Sequence, residues 1–170
     1  VDQTRGWFYS LITISTLLFR DQPYPHPYKN CVVLGLISDE KGHKLSKSKK
    51  NYTDPLVMMG EHGADAVRWM LYTGTVPGQN TRFFEGGAVD ALRDFLLKIW
   101  NCYSFLVTYA NIDSWDPAAE RPAVADRPDM DRWILAELDA TTRDVRAALD
   151  DYRSHVAARR LATFVDALAI

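Results

Sequence analysis

The chain has 170 residues, 47% of them hydrophobic and 25% charged, with a formal net charge of -2. That balance excludes a disordered chain and a general nucleic-acid coat protein, so any contact with a polyanion has to be local. The two cysteines, Cys31 and Cys102, lie in apolar surroundings and read as reduced core thiols of a cytoplasmic protein, with neither a disulfide nor a zinc site in the spacing. The length suits one domain or pieces of two. No stretch reads as a signal peptide or a membrane span: the apolar run from Trp7 to Phe19 is short and carries Thr13, Ser15 and Thr16.

In chain order, Arg5 to Phe19 reads as a helix, apolar on most of its circumference and therefore buried. The preceding Asp2 and Gln3 offer acceptors and a donor to a ligand, and Trp7 offers a flat apolar wall. An ordinary helix cap and a core tryptophan explain the same residues equally well. Asp21 to Pro27 carries three prolines and reads as a connector. Cys31 to Ile37 reads as a buried strand, in which Gly35 permits close approach of a backbone or a ligand. A turn at Asp39 to Gly42 follows.

From Lys41 to Thr53 there are five lysines and no carboxylate. Small hydroxyl residues stand beside them, so the ammonium groups have no local partner. This is the composition of a mobile loop that grips a polyanion, because lysine is a compact point charge on a flexible stem. Composition alone also fits a solvated basic loop or a patch touching nucleic acid.

Asp54-Pro55 reads as a helix start, with Asp54 accepting from free backbone N–H groups and Pro55 at the first helical position. That helix ends near Gly60, and another runs from about Ala64 to Tyr72. Thr73 to Phe84 reads as a loop. Gly86 to Tyr109 is a long amphipathic helix, with Val89, Leu92, Leu96, Ile99 and Tyr103 at spacings of three and four. Residues 112–128 form a proline- and alanine-rich linker. Met130 to Leu149 and Ser154 to Ala169 read as two further amphipathic helices, with Trp133 on the core side. The character therefore shifts from α/β over residues 1–52, through a small module at 53–87, to an all-helical bundle at 88–170.

The pentapeptide Lys44-Leu45-Ser46-Lys47-Ser48 resembles the KMSKS signature of class I aminoacyl-tRNA synthetases, with Leu45 in place of the usual Met. A match of this kind arises by chance below about one time in a thousand in a chain this size. Leucine and methionine are similar in volume, so the swap is a mild one. Asp2-Gln3-Thr4-Arg5-Gly6-Trp7-Phe8 upstream of it resembles the isoleucyl members of that family. Further along, Val33 to Leu36 resembles the strand before the signature loop. Lys50 to Pro55 resembles the exit from it, Gly63 to Arg68 the helix supporting the stem-contact module, and Asp131 to Leu135 the opening of the anticodon-binding bundle.

The resemblance implies the C-terminal part of a Rossmann-like catalytic domain, a stem-contact module and the start of an anticodon-binding domain, mostly helical overall. It implies an internal piece of a longer cytoplasmic ligase that activates isoleucine with ATP and transfers it to tRNA(Ile); no protein partner and no membrane is implied. Such a piece would be inactive alone, since no HIGH-type motif is present and His26 and His43 stand apart. Lys44 and Lys47 would bind the β- and γ-phosphates of ATP, with Mg²⁺ accompanying the nucleotide. Ser46 and Ser48 would shape the loop, Gly35 and Leu36 would border adenine through their backbone, Asp2 and Gln3 would contact the adenylate, and Trp7 would line the isoleucine pocket. Two other readings fit: a non-catalytic tRNA-binding module of a synthetase-like paralogue, or a relative specific for valine, leucine or methionine. In the bundle, Arg93, Lys98, Arg143, Arg146, Arg159 and Arg160 are candidate RNA contacts, although an ordinary solvated face explains each as well.

Overall fold

The computed structural model describes residues 5–74 and 76–169. The chain forms two compact units, residues 1–34 and 35–170.

The first unit is built on α1 (Trp7–Phe19), which begins after Gly6 without a side-chain cap. Its polar residues turn inward on the backbone: Ser10 and Thr16 donate to the carbonyls four residues back, at 3.0 and 2.7 Å. The Ser15 hydroxyl donates to the Pro25 carbonyl, pulling the proline-rich connector back over the helix. Phe8 meets Tyr28 edge-on at 5.4 Å. The sequence predicts a buried helix here, apolar on most of its circumference, and the structure corrects it. Leu17 is 73% exposed, and Ser15 is the buried residue of the helix. The connector covers one side only, and no second apolar layer exists among the described residues of this unit.

The stretch expected to form a strand from Cys31 to Ile37 is corrected as well. Residues 31–35 join no ladder, Leu36 lends only its carbonyl to one, and Cys31 is exposed rather than in a core. A strand needs a neighbouring ladder. Only β1 (Ile37–Ser38) finds one, pairing in parallel with β2 (Thr81–Arg82). β2 lies inside the segment read from sequence as a plain loop.

The second unit has its core where α2 (Pro55–His62), α3 (Ala64–Gly74) and α4 (Glu85–Ala91) meet. Asp54 caps α2 by accepting from the Leu56 N–H at 2.8 Å, worth about 1 kcal/mol. Gly63, at φ 85°, ends that helix and admits α3 immediately. Met58 and Val67 are fully buried and pack with Met70, Phe83, Ala88 and Ala91. Gly87 lets α4 close on α3, because a Cβ there would stand 2.7 Å from the Met70 sulfur.

The predicted long helix runs from α4 into α5 (Leu97–Ile112), but a π-helical turn at Leu92–Leu96 joins them. This turn carries Phe95, which stacks on Trp69 of α3 with centroids 3.5 Å apart and planes 4° from parallel. After an irregular stretch with one 3₁₀ turn at Val124–Asp126, α6 (Asp129–Asp150) and α7 (Ser154–Leu168) form a helical hairpin. Ala148, Ala157 and Ala158 are buried, so the helices approach closely, and α7 also packs on α3. Trp133 is 43% exposed, which corrects its expected core position: alanines, not aromatics, fill this interface.

Candidate functional site: the anchored lysine loop

The lysine loop leaves β1 and returns to α2, and a few polar side chains close it into a ring. Asp39 follows β1 directly. Its backbone N–H donates to the His43 carbonyl at 2.8 Å, and Gly42, at φ 85°, makes the tight turn between them. The Asp39 carboxylate accepts from the His43 N–H through Oδ1 at 2.8 Å and from the Asn51 amide through Oδ2 at 2.9 Å. The His43 ring lies 3.5 Å from the same carboxylate. The Asn51 hydrogen bond, with His43 beside it, holds the Asp39 carboxyl below the usual carboxylate range, even though its partial burial opposes this.

Asn51 reaches across the loop. Its Nδ2 also donates to the Lys44 carbonyl at 3.3 Å, and its Oδ1 accepts from the Ser46 N–H at 2.9 Å. Leu45, between those two residues, packs against the core cluster, and its N–H reaches the Ile37 carbonyl at 3.4 Å. The apolar residue of the pentapeptide is thus the anchor, and the flanking lysines project from it. Lys47 to Lys50 form an exposed turn, with the Ser46 and Ser48 hydroxyls 2.8 Å apart and the Lys50 N–H on the Ser46 carbonyl at 3.0 Å. All five lysines are exposed, and none has a carboxylate partner among the described residues.

Two depressions flank the loop. A groove of about 920 Å³ runs between Lys41, Lys50 and Tyr52 on one side and Phe84, Glu85 and Asp90 on the other. A smaller cleft of about 290 Å³ has an apolar floor of Ile37, Leu45, Pro55 and Phe83, with Ser46 and Lys47 at its rim. Gly35 is pressed against the backbone before β2: a Cβ would stand 2.0 Å from the Gln79 carbonyl oxygen. The permissive role read for Gly35 is therefore met by backbone. The Leu36 N–H is committed to Asn80 Oδ1 at 3.0 Å, and its carbonyl accepts from Thr81 at 2.9 Å.

Gly35, Leu36, Lys44, Ser46, Lys47 and Ser48 thus share the second unit, within one loop and the backbone leading into it. Asp2 and Gln3 lie outside the described residues. Trp7 opens α1 in the first unit and is 66% exposed. Sequence reasoning missed Asp39 and Asn51 as a pair; the signal available was an acceptor before the lysine run and a carboxamide after it.

The bundle's cations behave differently. Arg93 pairs with Asp90 and Asp94, Lys98 with Asp166 at 2.6 Å, and Arg143 with Asp139 at 2.7 Å. Arg160 bridges Glu137 and Asp144 at 2.9 and 3.1 Å, and these contacts raise its affinity for its proton. Arg146 and Arg159 are exposed and carry no ion pair among the described residues. A further polar group joins α2 to α4, where His62 Nε2 lies 3.3 Å from Glu85 with Glu61 nearby.

Residues 1–83 match the family model for class I tRNA synthetases of the I, L, M and V group. The isoleucine–tRNA ligase of Deinococcus radiodurans is 52% identical over 99% of this chain, and that of Dehalococcoides mccartyi strain 195 is 49% identical over the same share. The isoleucine–tRNA ligase of Streptomyces coelicolor is 43% identical, again over 99%. The chain spans only 15 to 16% of the length of these relatives. Among solved structures, the LeuRS of Agrobacterium radiobacter K84, in a ternary complex with tRNA and LeuAMS, superposes on 98% of this chain and 21% of its own. The TM-score is 0.78 at 22% identity, a likeness of fold. Residues 1–83 are thus similar to class I tRNA synthetases, and over its length the chain is similar to a segment of isoleucine–tRNA ligases.

Proposed function

We propose that this chain serves an isoleucine–tRNA ligase as its phosphate-gripping loop and the helical modules that follow. Isoleucine's carboxylate attacks the α-phosphorus of ATP, pyrophosphate leaves, and isoleucyl-adenylate forms. A terminal ribose hydroxyl of tRNA(Ile) then takes the aminoacyl group. The first step needs alignment and charge stabilisation more than a protein nucleophile. Lys44 and Lys47 supply that stabilisation on the departing pyrophosphate, and Ser46 and Ser48 shape the turn that presents them. The observation that carries this reading is the loop itself: its root is fixed to the core through Leu45 while its ammonium groups have no carboxylate partner among the described residues.

The adenine would lie along Gly35 and Leu36. Since the Leu36 N–H is already committed, its contact there is one of shape. Asp2 and Gln3 are proposed for the adenylate and Trp7 for the isoleucine side chain. Mg²⁺ would arrive with ATP as part of the substrate; the loop's ammonium and hydroxyl groups complement phosphate rather than metal. We propose residues 1–52 as catalytic-domain sequence, 53–87 as the stem-contact module and 88–170 as the opening of the anticodon-binding domain, in the cytoplasm. No described helix is long and apolar enough to cross a membrane. The non-catalytic and valine-, leucine- or methionine-specific alternatives are not favoured, because the relatives named above are isoleucine–tRNA ligases.

The test is amino-acid-dependent ATP–pyrophosphate exchange by the full-length protein against an amino-acid panel. Exchange strongest with isoleucine and weaker with valine supports the reading; exchange with no amino acid by a folded protein refutes it.

A further inference from the structure

The Asn51 carboxamide makes three contacts, and their chemistry allows one orientation. Nδ2 faces two acceptors, the Asp39 carboxylate and the Lys44 carbonyl, while Oδ1 faces a donor, the Ser46 N–H. Both amide hydrogens and the oxygen are therefore used. Aspartate at 51 would have no hydrogens to give, and glutamine would carry the group a methylene too far. Asp39 is held in turn by β1 behind it and by the His43 N–H on its other oxygen. Beyond this clamp, Lys47 to Lys50 project, and among the described residues one backbone bond, from the Lys50 N–H to the Ser46 carbonyl, ties them back.

We propose that Asn51, clamped to Asp39, is the positioning residue of the signature loop, fixing the Lys44–Ser46 segment so that Lys44 and Lys47 meet the polyphosphate while the tip stays free to close and open. This rests on the reading that those lysines serve ATP. The clamp divides the loop into a rigid root and a mobile tip, which is what a device that must grip and then release pyrophosphate requires. Replacing Asn51 by Asp sets two carboxylates face to face. The charged groups around them are His43, Lys41, Lys44 and Lys50 of the loop, with Glu40 beside them and Glu85 and Asp90 of α4 across the groove. One carboxyl of such a pair holds its proton to higher pH. Once protonated, it donates again and the clamp partly re-forms.

The experiment measures ATP–pyrophosphate exchange on the full-length protein as wild type, Asn51→Ala, Asn51→Asp and the exchanged pair Asp39→Asn/Asn51→Asp. Both single variants should lower kcat/KM for ATP on the order of 10- to 100-fold, as a misplaced reactive group does, with the KM for isoleucine within about twofold. Asn51→Asp should regain activity on acidification, whereas Asn51→Ala should not. The exchanged pair should recover part of the loss at neutral pH. Amide hydrogen exchange at Ser46 should quicken in Asn51→Ala. A parallel rise in the KM for isoleucine, an Asn51→Asp pH profile like that of the wild type, or unchanged Ser46 protection would overturn the proposal. Wild-type protein without isoleucine-dependent exchange would instead refute the ligase reading, and Ser46 protection would still decide the clamp.

Discussion

The lysine loop and the helical bundle are both rich in cations, yet they treat them in opposite ways. In the bundle, Arg93, Lys98, Arg143 and Arg160 each sit on a carboxylate of a neighbouring turn or helix. In the loop, five lysines crowd a short segment and none has a carboxylate partner among the described residues. Pairing discharges a cation's field locally, so these four paired charges serve the bundle's own surface, unlike Arg146 and Arg159, which have no ion pair among the described residues. The unpaired loop leaves a concentrated positive field open to solvent. Counting basic residues would rank the two regions together; tracing their partners separates them.

The largest effect expected from this contrast is at the loop. Lys47→Ala should reduce isoleucine-dependent exchange on the order of 10²- to 10³-fold, the usual cost of removing one group that stabilises developing charge. The KM for isoleucine should scarcely move; an equal loss in isoleucine binding would break the distinction between loop and pocket. Next comes the scaffold that holds the loop. Met58→Ala, at a fully buried position, should destabilise the second unit by about 2–5 kcal/mol in denaturant unfolding, while Leu45→Met should cost less than about 1.5 kcal/mol. If Leu45→Met unfolds the loop, the anchor is more demanding than its packing indicates.

Smaller still are the bundle effects. Arg160→Met should lower the melting midpoint slightly, and the difference from wild type should shrink as salt is added, because the groups are near the surface. Arg146→Ala should leave the midpoint unchanged and reduce the salt slope of tRNA binding by about one, whereas Arg143→Ala should leave that slope alone. An equal change for both would mean that pairing does not sort these charges.

The smallest effect concerns pH. The Asp39 carboxyl is held low by the Asn51 hydrogen bond, so its contribution is present above the ordinary carboxylate range and lost as pH falls through its depressed value. Wild type and Asp39→Asn should therefore differ by a constant amount at neutral pH and converge only in strong acid, as followed by thermal melts. Convergence already near neutrality would contradict that direction.

Local signals explain what the sequence made legible. Asp54-Pro55 announces α2, whose end reads near Gly60 from sequence and lies at His62, and the amphipathic periods place α4 to α7 within a few residues. The failures have one cause: they depend on what lies across from a segment. Val33 and Leu34 have strand-like side chains but no ladder, and α1 has an apolar surface without a second layer among the described residues of its unit. The π turn at Leu92–Leu96 left no mark on the apolar period, because it adjusts the backbone to bring Phe95 onto Trp69. At the site, the pentapeptide was readable as a composition. The Asp39–Asn51 clamp that gives it a fixed root was not, since it joins residues on opposite sides of the loop.

The most direct test sets the two regions against each other in one assay. Isoleucine-dependent ATP–pyrophosphate exchange would be measured for wild type, Lys47→Ala and Lys98→Ala of the full-length protein. The account predicts strong exchange by wild type, near loss with Lys47→Ala, and wild-type rates with Lys98→Ala, whose ammonium is already spent on Asp166. Equal rates for Lys47→Ala and wild type would contradict it.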